Sequence, residues 1–180
     1  MVQASVAAHP TPAGCGSTGG VDRFDRPLPG HRTGVTGPSS LQRFVSAQDA
    51  TGTYDAALRE LRAGRKRSHW MWFVFPQVVG LGRSSTAQHY ALSGLEEART
   101  YLAHPVLGPR LRESARALLG LPESDAVAAL GGTDALKLRS SMTLFAAADP
   151  AEEVFPAVLA QYFKGVADEA TLDLLSRGPG

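Results

Sequence analysis

The sequence predicts a mainly α-helical single domain, and three observations carry that expectation. Apolar residues recur at the i, i+3, i+4, i+7 spacing of one helix face in successive windows. Helix-start residues precede those windows, and glycine or proline follows them. The chain has 180 residues, 43% of them hydrophobic and 19% charged, enough to bury a core in one soluble domain.

Residues 1–38 are a different material. They hold seven glycines and five prolines with no apolar periodicity, and read as a disordered extension. The folded domain is expected over residues 39–177. Ser39 or Ser40 can cap a helix carrying Leu41, Phe44, Val45 and Gln48. After Thr51-Gly52-Thr53, a second helix places Tyr54, Ala57, Leu58 and Leu61 on one face and ends at Gly64. His69–Phe75 is short and aromatic, and fits either a buried extended segment or a buried helical turn; Pro76 closes it.

Gly80-Leu81-Gly82 reads as a loop, with Ser84 or Ser85 starting a helix through Tyr90. Ser93-Gly94-Leu95-Glu96 reads as a capping box for a helix to about Ala103, ended by His104-Pro105. The next helix has Pro109 in its first turn and reaches Leu119. Ser124 is the expected cap of a short helix to Leu130, and Thr133–Ala147 is expected to be helical in part. Asp149-Pro150-Ala151-Glu152 reads as a start signal for a helix bearing Val154, Phe155, Val158, Leu159, Tyr162 and Phe163. A last helix spans about Asp168 to Leu175. No internal repeat is visible.

Composition narrows the function classes. Cys15 is the sole cysteine, so neither an internal disulfide nor a cysteine metal site is expected, which fits a reducing cytoplasm. No run of 18 apolar residues suits a membrane span, and no basic start with an apolar stretch marks a secretory signal. A cytoplasmic location is the expectation. Net charge is only +1, small for a general nucleic-acid binder. It hides an asymmetry: residues 61–95 carry +5 with no acid, whereas Ala117 to the end carries −5.

Three segments carry the candidate chemistry. The first is Gly64-Arg65-Lys66-Arg67-Ser68-His69-Trp70-Met71-Trp72-Phe73-Val74-Phe75-Pro76-Gln77, which holds both tryptophans. Arg67 and Lys66 suit a phosphate or carboxylate, Ser68 and Gln77 add hydrogen bonds, and Trp70 or Trp72 can stack on a flat ring. His69 is the candidate for proton transfer. The alternative is that the aromatics are core and the basic run a solvated loop.

The second is Gly80-Leu81-Gly82-Arg83-Ser84-Ser85, a glycine loop before a helix start, where free N–H groups, Arg83 and Ser84 can meet an anion. It lacks the lysine of a Walker loop and the third glycine of a dinucleotide fingerprint, and a capped turn is its alternative. The third is Lys137-Leu138-Arg139-Ser140-Ser141-Met142-Thr143-Leu144-Phe145, where Arg139, Ser140 and Ser141 repeat the Arg-Ser-Ser triplet; neutralising nearby acids is the alternative.

Other chemistries find less. His69, His89 and His104 lack local ligand spacing, so no metal is expected, and no motif calls for a cofactor. No Gly-x-Ser-x-Gly elbow occurs. Glu96-Glu97 and Glu152-Glu153 fall in first turns, where the helix dipole accounts for them.

These segments, together with Leu41–Val45, Ala47-Gln48, Tyr54–Leu58 and Tyr101–Gly108, resemble the bacterial domain-of-unknown-function family 1810 over about residues 39–176. The Ser-His-Trp-Met-Trp-Phe and Lys-Leu-Arg-Ser-Ser-Met-Thr-Leu-Phe strings carry most of the likeness. The Asp49–Thr53 stretch is longer than the family's usual turn. The resemblance implies a small helical protein and no established activity. The residues themselves point to a pocket for a phosphorylated or nucleotide-like small molecule, with transferase or hydrolase chemistry the least specific fit. Lys66, Arg67, Arg83 and Arg139 would bind charge, Ser68, Ser84, Ser140 and Ser141 would donate hydrogen bonds, and Gln48, Tyr54 and Gln77 are further polar candidates. The alternative is a protein-interaction or RNA-contacting module without catalysis.

Overall fold

The computed structural model describes residues 38–177, with side chains from Leu41 onward. The extension expected over residues 1–38 lies outside the described residues except for Pro38, which opens the first helix. The side chains of Ser39 and Ser40, the expected caps there, also lie outside them.

The helices are α1 (Pro38–Asp49), α2 (Thr53–Arg62), α3 (Met71–Val74), α4 (Ser85–His89), α5 (Leu95–Ala103), α6 (Leu107–Leu119), α7 (Ala126–Leu130), α8 (Gly132–Ala148), α9 (Val154–Phe163) and α10 (Glu169–Arg177). A 3-10 turn, Ala50–Gly52, joins α1 to α2. The fold is mainly α-helical, with no strand among the described residues. A parallel bridge between Val78 and Leu92 holds the loop before α4 to the loop after it. No helix among the described residues is long and apolar enough to cross a membrane.

The middle of the molecule is α8, buried around its circumference through Ala135, Leu138, Ser140, Ser141, Met142, Thr143, Leu144, Phe145 and Ala148. Helices α5, α7, α9 and α10 pack against it, and α6 lies on α5, α9 and α2. Aromatic rings run through the core from α1 to α9. Phe44 meets Tyr101 edge-on at 5.2 Å, Tyr101 meets Phe145 at 5.5 Å, and Phe145 meets Phe155 at 5.6 Å. Such pairs add about 0.5–1.5 kcal/mol each beyond the area they bury.

Orphan carbonyls at three helix ends are met by side chains from other helices, as buried backbone groups require. Arg112 donates to Leu102 of α5 at 3.3 Å, Arg99 to Ala148 of α8 at 3.2 Å, and Tyr162 to Leu118 of α6 at 2.6 Å. The two arginines rim a shallow depression of about 220 Å³ floored by Leu102, Ala103 and Ala148.

Several start signals act differently from their sequence reading. The short segment at His69–Phe75 resolves as a helical turn, with the Val74 and Phe75 N–H groups donating to Trp70 and Met71. The box at Ser93 is closed by Glu97, not Glu96: Glu97 accepts from the Ser93 N–H at 2.8 Å and also pairs with Arg43 at 3.0 Å. Glu96 turns outward to Arg99. Asp125, not Ser124, caps α7 by accepting from Val127 and Ala128. Asp149-Pro150-Ala151-Glu152 forms a turn, with Asp149 accepting from the Ala151 N–H, and α9 begins only at Val154. Glu152 is drawn aside by Arg112 at 2.5 Å.

Phe145→Ala removes the ring at the centre of the aromatic row and is expected to cost about 3–5 kcal/mol in equilibrium urea unfolding. Thr51, a β-branched residue at φ 49°, sits in left-handed backbone in the α1–α2 turn. Thr51→Asn is expected to stabilise by about 0.5–1 kcal/mol in the same assay.

Candidate functional site

The basic-aromatic segment leaves α2 with no regular structure until Met71, so its shape depends on side chains. Glu60, in the last turn of α2, supplies it. Its carboxylate accepts from the Arg67 N–H at 2.8 Å, the Ser68 N–H at 3.1 Å, the Ser68 hydroxyl at 2.7 Å and the Trp70 indole N–H at 2.7 Å. An acid near a helix C-terminus opposes the helix dipole, so these donors must outweigh that cost. Burial alone would raise the Glu60 pKa; the donors reverse this and take it from 4.5 to about 2. Lys66 is fixed separately, its N–H donating to Ala129 of α7 at 2.8 Å.

This fold separates the two tryptophans. Trp70 is fully buried and packs on Phe75 at 6.2 Å, so it has no free face for a ligand. Trp72 is half-buried at the rim. Lys66 lies 5.2 Å from the Trp70 ring centre, and Lys137 lies 4.4 Å from that of Trp72. Between them sits Asp134. Its two oxygens are each 2.8 Å from an ammonium, one from Lys66 and one from Lys137. Burial would raise the Asp134 pKa, but both lysines pull it below its ordinary value. Asp134, Lys137 and Ser141 occupy one stripe of α8, at i, i+3 and i+7. The Ser141 hydroxyl on that stripe is buried with no hydrogen-bond partner among the described residues.

So the first and third segments meet, through Lys66, Asp134, Lys137 and Trp72. Other candidates are committed elsewhere. Arg139 donates to Val166 at 2.9 Å and Ala167 at 2.8 Å, tying down the α9–α10 connection. Ser140 donates to the Leu136 carbonyl one turn back. Ser84 caps α4 through the Ala87 N–H at 3.1 Å. Gly82 answers a packing need: a β carbon there would lie 2.3 Å from that of Ala87. Ser68 is spent on Glu60. Arg83 and Arg67 are exposed and form no ion pair with a described residue. Gln77 is half-buried, its carbonyl accepting from Leu92 at 2.9 Å. His69 is exposed, and no described residue orients its ring.

Gln48 and Tyr54 belong to a structural network. Gln48 donates to the Phe73 carbonyl at 2.8 Å and to Tyr101 at 3.2 Å, and accepts from Arg110 at 3.3 Å. The Tyr54 hydroxyl lies 2.8 Å from Glu113 and 3.1 Å from the Arg110 carbonyl; burial and Glu113 keep it protonated.

A family model described as "Protein of unknown function (DUF1810)" matches residues 38–175. The chain belongs to this family. Its DUF1810 domain is similar in structure to a protein from Mycobacterium tuberculosis, the conserved hypothetical protein Rv1873. The two share 49% identity with a TM-score of 0.74, over 78% of this chain and 99% of the other. No curated protein matches the chain.

Glu60→Gln removes the charge that gathers four donors and is expected to cost about 2–3 kcal/mol at pH 7. Glu60 has a depressed pKa, so its contribution is complete above pH 4.5 and is lost as pH falls toward 2. The gap between the parent and Glu60→Gln in urea unfolding should therefore narrow across that window.

Proposed function

We propose that this DUF1810 domain is a binding module for a small phosphate-bearing anion, seated where Lys66, Lys137 and Trp72 converge. The observation that carries the reading is that two ammonium groups share one carboxylate, leaving a positive charge over at a partly desolvated site. The side chains of Lys66, Asp134 and Lys137 are only 11%, 16% and 18% exposed. An anion gains more against a fixed charge there than in open water. Arg65 and Arg67 stand exposed on the same loop, unpaired with any described residue, and add a field that draws anions inward. The half-buried face of Trp72 suits a flat ring attached to the anion.

No reaction is assigned. His69 is exposed, and no described residue orients its ring, so nothing in the site assigns it a proton-transfer role. Ser84, Arg139 and Ser140 do not enter the reading because each is engaged in a fold contact, and Arg83 does not because no contact joins it to the lysine pair among the described residues.

Tripolyphosphate, pyrophosphate and ATP titrated into the full chain should give saturable changes in tryptophan fluorescence, with Trp72 reporting. Saturating ligand should raise the melting temperature by mass action. Lys137→Ala and Lys66→Ala should each weaken binding at least about tenfold, the loss of one charge-assisted contact. Arg139→Ala should leave affinity unchanged. Binding that ignores both lysine substitutions would remove the reading. A preference for long RNA over tripolyphosphate, steeply salt-dependent, would move it to a macromolecular contact surface.

A further inference from the structure

Asp134 stands where the proposed ligand's anionic group belongs. Each of its carboxylate oxygens is 2.8 Å from one lysine ammonium, so a single side chain engages both cations while neutralising one charge. We infer that Asp134 is a built-in competitor that closes the lysine pair in the free protein and is displaced by the incoming anion. The inference rests on the anion-site reading above and concerns how that site is regulated.

Two structural features make the displacement feasible. Asp134 lies in the first turn of α8, two residues after Gly132. Gly131 has φ +84°, both glycines are exposed, and a β carbon on either would meet nothing within 4 Å. Backbone freedom and open space therefore adjoin the competing side chain, as at many hinges. In the first turn Thr133 and Leu136 are exposed, while Ala135 is buried and its N–H bonds to the Gly131 carbonyl at 2.9 Å.

The Lys66 backbone and the Lys137 side chain each have a hold besides Asp134. The Lys66 backbone is held by Ala129 of α7, and its neighbours Arg67 and Ser68 are held by Glu60. Lys137 lies against Trp72, one turn deeper into α8. When the carboxylate leaves, both ammonium groups remain to receive the ligand. The apparent affinity of the free protein is then reduced by the fraction of molecules in which Asp134 is closed.

The test titrates tripolyphosphate into the parent, Asp134→Asn, Asp134→Ala, Asp134→Glu and Lys137→Ala, following fluorescence and thermal stability. Asp134→Asn and Asp134→Ala should bind about tenfold more tightly than the parent. Each should melt lower without ligand and show a larger ligand-induced rise. Asp134→Glu, which restores a carboxylate, should return to parental affinity. Should the Asn and Ala variants fold poorly, hydrogen exchange on the parent provides an independent readout. Tripolyphosphate should speed exchange in the peptide spanning residues 131–138 while protecting residues 66–70. Equal or weaker binding by the Asn and Ala variants, or protection of residues 131–138, with Lys137→Ala still losing affinity, overturns the competitor and leaves the site. Failure of the parent and all variants to bind overturns both.

Discussion

The carboxylate of Glu60 is the constraint on which the rest of the candidate site depends. The eight residues between the end of α2 and the start of α3 have no helix or sheet to order them. One anion collects two backbone N–H groups, a hydroxyl and an indole, and so orders Arg67, Ser68 and Trp70 together. Trp70 is thereby directed into the core and Lys66 toward the N-terminal turn of α8. The arrangement is economical but exposed to failure, because a neutral or shorter residue at 60 would leave several donors unmet at once.

The same segment divides labour between its tryptophans. Trp70 belongs to the core through Phe75 and is bonded at its nitrogen. Trp72 is at the margin, with a lysine on its face. An ammonium over an indole contributes about 0.5–2 kcal/mol, depending on how dry the contact is. The aromatic half of the motif is therefore mostly architecture, and its chemical remainder is one ring, two lysines and the aspartate between them.

Most of the helical plan was legible from periodicity and stop residues, because those depend on near neighbours. Caps were read less well, and the reason is specific. Glu97 rather than Glu96 closes the start of α5 because Arg43, 54 residues earlier, holds it in place. Glu152 is withdrawn from its local signal by Arg112, 40 residues earlier. The acid-free window of residues 61–95 suggested uncompensated cations, yet Glu113 pairs with Arg62 and Asp134 with Lys66 from far along the chain. The Arg-Ser-Ser repeat had no spatial counterpart: Arg139 braces a loop, while Arg83 stays in solvent. The i, i+3, i+7 spacing of Asp134, Lys137 and Ser141 was present in the sequence, but only the fold brings Lys66 to it.

Helix α8 buries residues around its whole circumference, and it lies late in the chain, at residues 132–148. During synthesis the ribosome therefore releases α1 through α7 before the element that α5 and α7 pack against exists. Until then Phe44, Trp70, Phe75 and Tyr101 have no complete core to enter, and the nascent chain carries apolar surface that the finished domain hides. Domains generally complete folding as units. Here that completion waits for the last quarter of the polypeptide, so a chain truncated before Gly132 is a substrate for chaperones and proteases rather than a smaller version of the domain.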